Sequence, residues 1–221
     1  FASNIASILE KECSSEALQS AGETSSGCIN GLWETLSETG LMGIAIPEKF
    51  GGLGMGSPDL IFILEEFGRS ACSEPVAEHA AVAAPLIARW SQNEMTKEIL
   101  EESATGSRKL TVGAPMDGRV VSVEKSDMIL LSKENELHVV PTNEILHTPM
   151  TSIDPRYKTS VIEWSPSSQT LISENPDAIE DMINRGALSA AAQAVGVAQK
   201  LLDMTVSYVS ERKQFGKPVG T

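Results

Sequence analysis

Basic residues are scarce in this sequence, cysteines are few, and no apolar run is long enough to cross a bilayer. Seventeen Lys and Arg stand against thirty Asp and Glu, and the net charge of -13 repels phosphate backbones and anionic membrane surfaces, which argues against nucleic acid as a partner. No stretch approaches the roughly 20 consecutive apolar residues of a membrane span. Residues Phe1 to Glu12 also lack the charged-then-apolar layout of a secretory signal, so a soluble intracellular protein is expected. Cys13, Cys28 and Cys72 are scattered and show no Cys-x-x-Cys spacing, which indicates neither a disulfide framework nor a thiolate metal site and fits a reducing compartment. His79, His138 and His147 fall in segments of different predicted structure, so no histidine metal centre is expected. There is no Gly-x-Ser-x-Gly elbow. Aromatic residues make up 5% of the chain, and Trp33, Trp90 and Trp164 are assigned to core or interface packing.

What is present is ordinary globular material, 41% hydrophobic over 221 residues, enough for one or two modest cores. Residues 1–107 read as an all-α N-terminal domain. Leu32, Trp33, Leu36 and Leu41 recur at helical spacing up to Gly40 and Gly43. Ser57-Pro58 reads as a helix start with Ser57 as its cap, followed by the stripe Leu60, Ile61, Leu64, Phe67 and Ala71. Pro75 to Trp90 and Asn93 to Glu102 read as two more helices, the first rich in Ala. Gly51-Gly52-x-Gly54-x-Gly56 lacks the spacing and the β-α-β setting of a dinucleotide loop and reads as a tight turn.

From Leu110 the pattern changes, and residues 108–174 read as a small antiparallel β middle domain. Its strands are expected at Leu110 to Val112, Arg119 to Val123, Met128 to Leu131, Leu137 to Val140 and Ser160 to Trp164. At Asn175 a helical pattern opens that can run to about Arg212, roughly 50 Å at about 1.5 Å per residue. Between Gly186 and Ala198 nine of thirteen residues are Gly, Ala or Ser, which suits close approach of another helix. A rod longer than a small domain is wide needs partners from outside the sequence, so residues 175–221 are expected to be the first helix of an incomplete C-terminal bundle. The sequence starts at Phe1 rather than Met, and either end is read as an edge of a longer chain. The fold class expected is α+β.

Three stretches, in order, carry a family resemblance. The first runs from Trp33-x-x-Leu36 through Gly40-Leu41-x-Gly43-Ile44-x-Ile46-Pro47-Glu48-x-Phe50-Gly51-Gly52-x-Gly54 to Leu64-Glu65-Glu66-Phe67-Gly68-Arg69. The second, a match in outline, is Ser126-Asp127-Met128-Ile129-Leu130-Leu131 with Ile153-Asp154-Pro155-Arg156. The third and most specific is Tyr208-x-x-Glu211-Arg212-Lys213-Gln214-Phe215-Gly216-Lys217-Pro218-Val219-Gly220. Together they resemble the acyl-CoA dehydrogenase family of FAD-dependent flavoproteins, whose N-terminal helices and middle β-domain flank a flavin and whose four-helix C-terminal bundle completes the site.

The resemblance implies α,β-desaturation of an acyl-CoA thioester. In such enzymes a carboxylate removes the α-proton, the β-hydrogen leaves as hydride to the flavin, and an electron-transferring flavoprotein accepts the electrons. It also implies a dimeric or tetrameric homo-oligomer, or a heteromer with a related subunit, in the bacterial cytoplasm by preference or the mitochondrial matrix. Arg212 matches the family's signature Arg, whose planar paired donors suit a pyrophosphate. Lys213 and Gln214 would lie alongside, with Phe215 packing near the cofactor.

Two departures bear on activity. Val112-Gly113-Ala114-Pro115 stands where firm FAD binders carry Thr-Glu-Pro, and Val120-Val121-Ser122 only echoes the later Trp-x-Thr. No catalytic carboxylate is identified: the late position of the base lies beyond Thr221, and the early one falls on Gly186, followed by Ala187 where many relatives carry Arg. Glu180 and Asp181 read as a solvated first-turn pair favoured by the helix dipole. A degenerate, non-catalytic subunit of a heteromeric dehydrogenase is therefore the alternative reading.

Overall fold

The computed structural model describes every residue except 92, 94, 114–117 and 221, and all but the side chain of Met95. Seven α-helices are described: α1 (Ala2–Glu12), α2 (Ser15–Glu23), α3 (Leu32–Glu38), α4 (Ser57–Arg69), α5 (Ala84–Trp90), α6 (Met95–Thr105) and α7 (Pro176–Glu211). Each has a sequence cause. The Ala17 amide donates to Ser14 Oγ at the start of α2, and Ile5 and Leu9 bury one face of α1.

Helix α4 starts one residue earlier than the Ser57 cap assigned to it. Gly56 is the flanking residue, and its amide donates to Asp59 Oδ2 at 3.1 Å, so a carboxylate rather than the Ser57 hydroxyl satisfies the free donor. Ile63, not Ile61, completes the buried stripe with Leu60, Leu64 and Phe67, and Ala71 lies beyond the helix at φ 51. The helix expected from Pro75 begins as a π-helical segment at Ala77–Ala83 and becomes α5. Pro85 has no amide to offer the carbonyl of Ala81, and Arg185 Nη1 donates to that carbonyl from α7 at 3.3 Å.

Nine strands lie among the described residues: β1 (Leu110–Val112), β2 (Arg119–Val121), β3 (Met128–Lys133), β4 (Glu136–Pro141), β5 (Leu146–Met150), β6 (Thr159–Glu163), β7 (Leu171–Ser173), β8 (Lys213–Gln214) and β9 (Lys217–Pro218). One sheet has the order β1-β3-β4-β7 and a second the order β2-β6-β5, while β8 and β9 form a hairpin. Pairing is antiparallel except between β1 and β3, which run parallel in the register Leu110↔Met128. The cause is the route of the chain: it leaves the first sheet to form β2 in the second, then returns in its original direction. Residues 114–117, which include the Ala114-Pro115 departure from the family's Thr-Glu-Pro segment, are outside the described residues.

Strand β3 is apolar on both faces, Met-Ile-Leu-Leu, because both faces are covered. Met128 and Leu130 join the core shared with the helices, whereas Ile129 and Leu131 join Val120, Val140 and Ile162 between the sheets.

Buried His79 stitches the helical layer to β1. The Leu110 amide donates to His79 Nδ1 at 3.0 Å, and the opposite nitrogen, Nε2, lies 3.1 Å from the Ser103 carbonyl, so a neutral ring protonated at Nε2 satisfies both partners. Trp33 sits edge-on to the ring at 5.2 Å, and its own Nε1 donates to the Gly106 carbonyl at 2.8 Å.

Helix α7 crosses α4 at backbone distance. A Cβ added at Gly196 would lie 1.8 Å from the Glu65 carbonyl oxygen, and one added at Gly68 would lie 2.0 Å from that of Gln193. One face of the small-residue stretch, at Ser189, Ala192 and Gly196, is thus filled from within the chain, which corrects the expectation that the partners of α7 all lie outside it. Arg69 Nη2 and Asp203 Oδ2 pair at 2.6 Å further along the crossing. Other faces of α7 stay open: Leu188, Val195, Leu201, Leu202, Met204 and Val206 are between 43% and 58% exposed.

Gly196→Ala is expected to lower unfolding free energy by about 3 kcal/mol, because a methyl group there meets backbone that cannot rotate away. Gly186→Ala, with nothing within 4 Å, should instead stabilise by roughly 0.5–1 kcal/mol through helix propensity. Urea titrations of both variants check the pair, and equal effects would contradict the crossing.

Burial holds the His79 ring down to about 4 from its ordinary 6.5. The stabilisation this gives is complete above pH 6.5 and is lost as pH falls through 4, on the order of 3 kcal/mol in total. Urea midpoints measured across that interval should fall more steeply for the native chain than for His79→Gln.

Candidate functional site

The end of α7 and the hairpin after it hold all four residues assigned to cofactor binding. The rod ends where Arg212 leaves helical geometry, its amide donating to the Tyr208 carbonyl at 3.0 Å. The chain then reverses through Phe215 at φ 53 and Gly216 at φ 79, consecutive left-handed residues of the kind that close two-residue hairpins. Glycine adopts this geometry freely, while Phe215 does so at a steric cost. The Val219 amide donates to the Arg212 carbonyl at 2.9 Å and the Gly220 amide to that of Val209 at 3.0 Å, folding the hairpin back on its own helix.

This reversal displays charge. The Arg212 guanidinium lies over the Tyr208 ring, 5.4 Å from its centroid, and Nη1 contacts the phenol oxygen. Phe215 is fully exposed, and Arg212, Gln214, Phe215, Lys217, Pro218 and Val219 line an open cleft of about 520 Å³. Among the described residues no carboxylate pairs with Arg212, Lys213 or Lys217. A planar donor set and two ammonium groups beside an exposed ring can take up an anion that carries an aromatic group. The structure brings Arg212, Gln214 and Phe215 to one cleft and leaves Lys213 exposed on the same hairpin.

The N-terminal end of α7 is built differently. Glu180 is exposed, but Asp181 is not the solvated residue expected from its first-turn position. Its Oδ2 accepts from Trp90 Nε1 at 3.0 Å and from Arg89 Nη1 at 3.1 Å, while Oδ1 accepts from Arg185 Nε at 3.0 Å. A carboxylate with three donors is a fastener between α5 and α7, and Arg185 extends the link to the Ala81 carbonyl. Gly186 lies one residue on, with open space where a side chain would project.

The histidines are occupied structurally. His138 meets Thr170 Oγ1 at 3.0 Å and Glu136 Oε2 at 3.1 Å, and Trp164 stands against its ring at 5.2 Å. No group of His, Cys, Asp and Glu that could hold a metal occurs among the described residues. The glycine-rich loop after Ile46 is the tight turn expected of it: the Leu53 and Met55 amides donate to the Gly43 and Ile44 carbonyls at 2.9 and 2.8 Å. No helix among the described residues is long and apolar enough to cross a membrane.

Comparison with known proteins reaches both ends of the chain. Residues 1–107 match the acyl-CoA dehydrogenase N-terminal domain and residues 177–221 the C-terminal domain of the same family. The acyl-CoA dehydrogenase IpdE2 of Mycolicibacterium smegmatis is 30% identical over 218 residues, covering 98% of this chain and 66% of the relative. IpdE2 of Mycobacterium tuberculosis is 26% identical over 219 residues, covering 98% of this chain and 65% of the relative. The chain thus spans about two-thirds of the length of these curated relatives.

Among solved structures, a variant of the Tcur3481-Tcur3483 steroid ACAD superposes with a TM-score of 0.88 at 25% identity, over 100% of this chain and 68% of that one. The ChsE4-ChsE5 complex from Mycobacterium tuberculosis gives 0.87 at 20% identity over the same shares, a likeness of fold. With both family domains in sequence order and relatives of that name along nearly its whole length, the chain belongs to the acyl-CoA dehydrogenase family.

Proposed function

We propose that this chain works within an FAD-dependent acyl-CoA dehydrogenase, as the part that delivers Arg212 and its hairpin to a flavin. The observation that carries the reading is the cationic cleft at the tip of α7, where Arg212, Lys217 and exposed Phe215 converge and no carboxylate pairs with Arg212 or Lys217 among the described residues. A diphosphate satisfies a guanidinium better than scattered water does, because two parallel N–H groups meet two oxygens at once. Tyr208 holds the guanidinium plane from below, and Phe215 is free to lie against an aromatic ring system. Bound FAD would supply the hydride acceptor for desaturation of an acyl-CoA thioester. The residues of this chain would bind and orient it, with a flavin of a neighbouring subunit as the target and an electron-transferring flavoprotein as the onward acceptor. A cytoplasmic setting accords with this reading.

A second reading has its own support. Position 186, the early site of the family's base, is Gly, and one of the superposing structures named above is a complex of two named components, ChsE4 and ChsE5. On that reading the chain is a non-catalytic subunit of a heteromer, and its partner carries the carboxylate. The open apolar faces of α7 would then be covered by the partner's helices.

Arg212→Ala should remove about 2 kcal/mol of charged hydrogen bonding and weaken FAD retention roughly 30-fold. Ratios of flavin to protein absorbance, taken on the full-length protein with any co-purifying subunit, check this. An unchanged ratio would sink the assignment. The same preparation separates the two readings: full-length protein isolated alone is yellow on the first and colourless on the second.

A further inference from the structure

We infer that Cys28 and Lys125 form an oxidation-dependent covalent cross-link, an Sγ–O–Nζ bridge, that ties the α2–α3 connection to the β layer. Lys125 Nζ lies 2.9 Å from Cys28 Sγ. That is the separation usual for N–H···O, about 2.9–3.0 Å, although sulfur is the larger atom. On the other side the thiol donates to Glu74 Oε2, also at 2.9 Å, and the Ile29 amide holds Glu74 Oε1 at 3.2 Å. Glu74 is only 6% exposed, and these two hydrogen bonds hold its carboxylate on the sulfur. Thiol, amine and proton acceptor therefore stand in line before any reaction.

Access is built in as well. Cys28 is half-buried at the wall of a cleft of about 470 Å³, which Glu74, Lys109, Lys125 and Trp33 also line. A molecule the size of dioxygen reaches the sulfur there without any opening of the fold. Neither the glycine-rich loop nor the α7 hairpin shares this cleft.

The chemistry balances with dioxygen as oxidant. The ammonium of Lys125 first gives one proton to solvent in the cleft. The S–H bond and one N–H bond then break, Sγ–O and O–Nζ bonds form, and the two hydrogens leave in one water. Sulfur and nitrogen together surrender four electrons, which dioxygen takes up, one oxygen atom becoming the bridge and the other the water. Burial, with Glu74 beside it, pushes the Cys28 thiol up to about 12, so the resting state is thiol rather than thiolate and indiscriminate alkylation is suppressed. Adjacency to Lys125, rather than general nucleophilicity, selects the product. A thiol oxidised without such a neighbour would instead pass to sulfenic and then sulfinic acid.

The test uses the intact chain, held in air-saturated buffer or given dilute hydrogen peroxide, then unfolded, digested and weighed by mass spectrometry. The expected product joins the Cys28 and Lys125 peptides with a mass gain of one oxygen and a loss of two hydrogens, and it falls apart on treatment with dithiothreitol. Lys125→Arg keeps the charge but should give no cross-link, leaving Cys28 as sulfenic or sulfinic acid; circular dichroism confirms that the variant is folded. Cys13→Ser should leave the yield unchanged. Joined peptides that lack the added oxygen, oxidation of Cys28 alone in the native chain, or a disulfide from Cys28 to Cys13 or Cys72 would each overturn the inference.

Discussion

Two glycines on two helices decide where the rest of this molecule can be. At Gly68 and Gly196 the backbones of α4 and α7 approach until each occupies the space a methyl group would need on the other. Van der Waals contact at that range is lost on small displacement, so the crossing point is narrowly defined. A 36-residue helix held at its middle is a lever. The Asp181 fastener with Trp90 and Arg89 pins one end, and the direction of the other end, with its cationic hairpin, follows from the crossing.

Most of this architecture was legible along the chain where the cause was local. The rod from Asn175 to Arg212, the turn at the glycine-rich loop and the strand at Leu110 follow from capping, positive-φ positions and apolar periodicity. Features set by distant partners were not legible. The strand at Leu146–Met150 is mostly exposed and contains Pro149, so it shows little strand patterning. The parallel pairing of β1 with β3 depends on β2 joining another sheet, which no local signal records.

Asp181 shows the same limit at the level of one side chain. An acid in the first turns of a helix has a sufficient reason to be there in the helix dipole, and only the position of α5 reveals that it is instead enclosed by donors. Cys28 and Lys125 lie 97 positions apart, so three cysteines without a motif gave no hint of the pair. The signature at Arg212 was legible because its residues are contiguous and the hairpin that displays them is local. Its electrostatic setting was not, since whether a carboxylate pairs with the guanidinium is a property of the folded surface.

Strand β3 has a further consequence for how the chain comes apart. Its odd and even residues belong to two different hydrophobic cores, one shared with the helices and one between the sheets. Withdrawing it exposes both at once, so neither layer can melt while the other keeps its interior dry. The helical and β portions, which sequence alone divides at about residue 108, share this strand, so a lesion in the sheets reaches the core of the helices that carry α7.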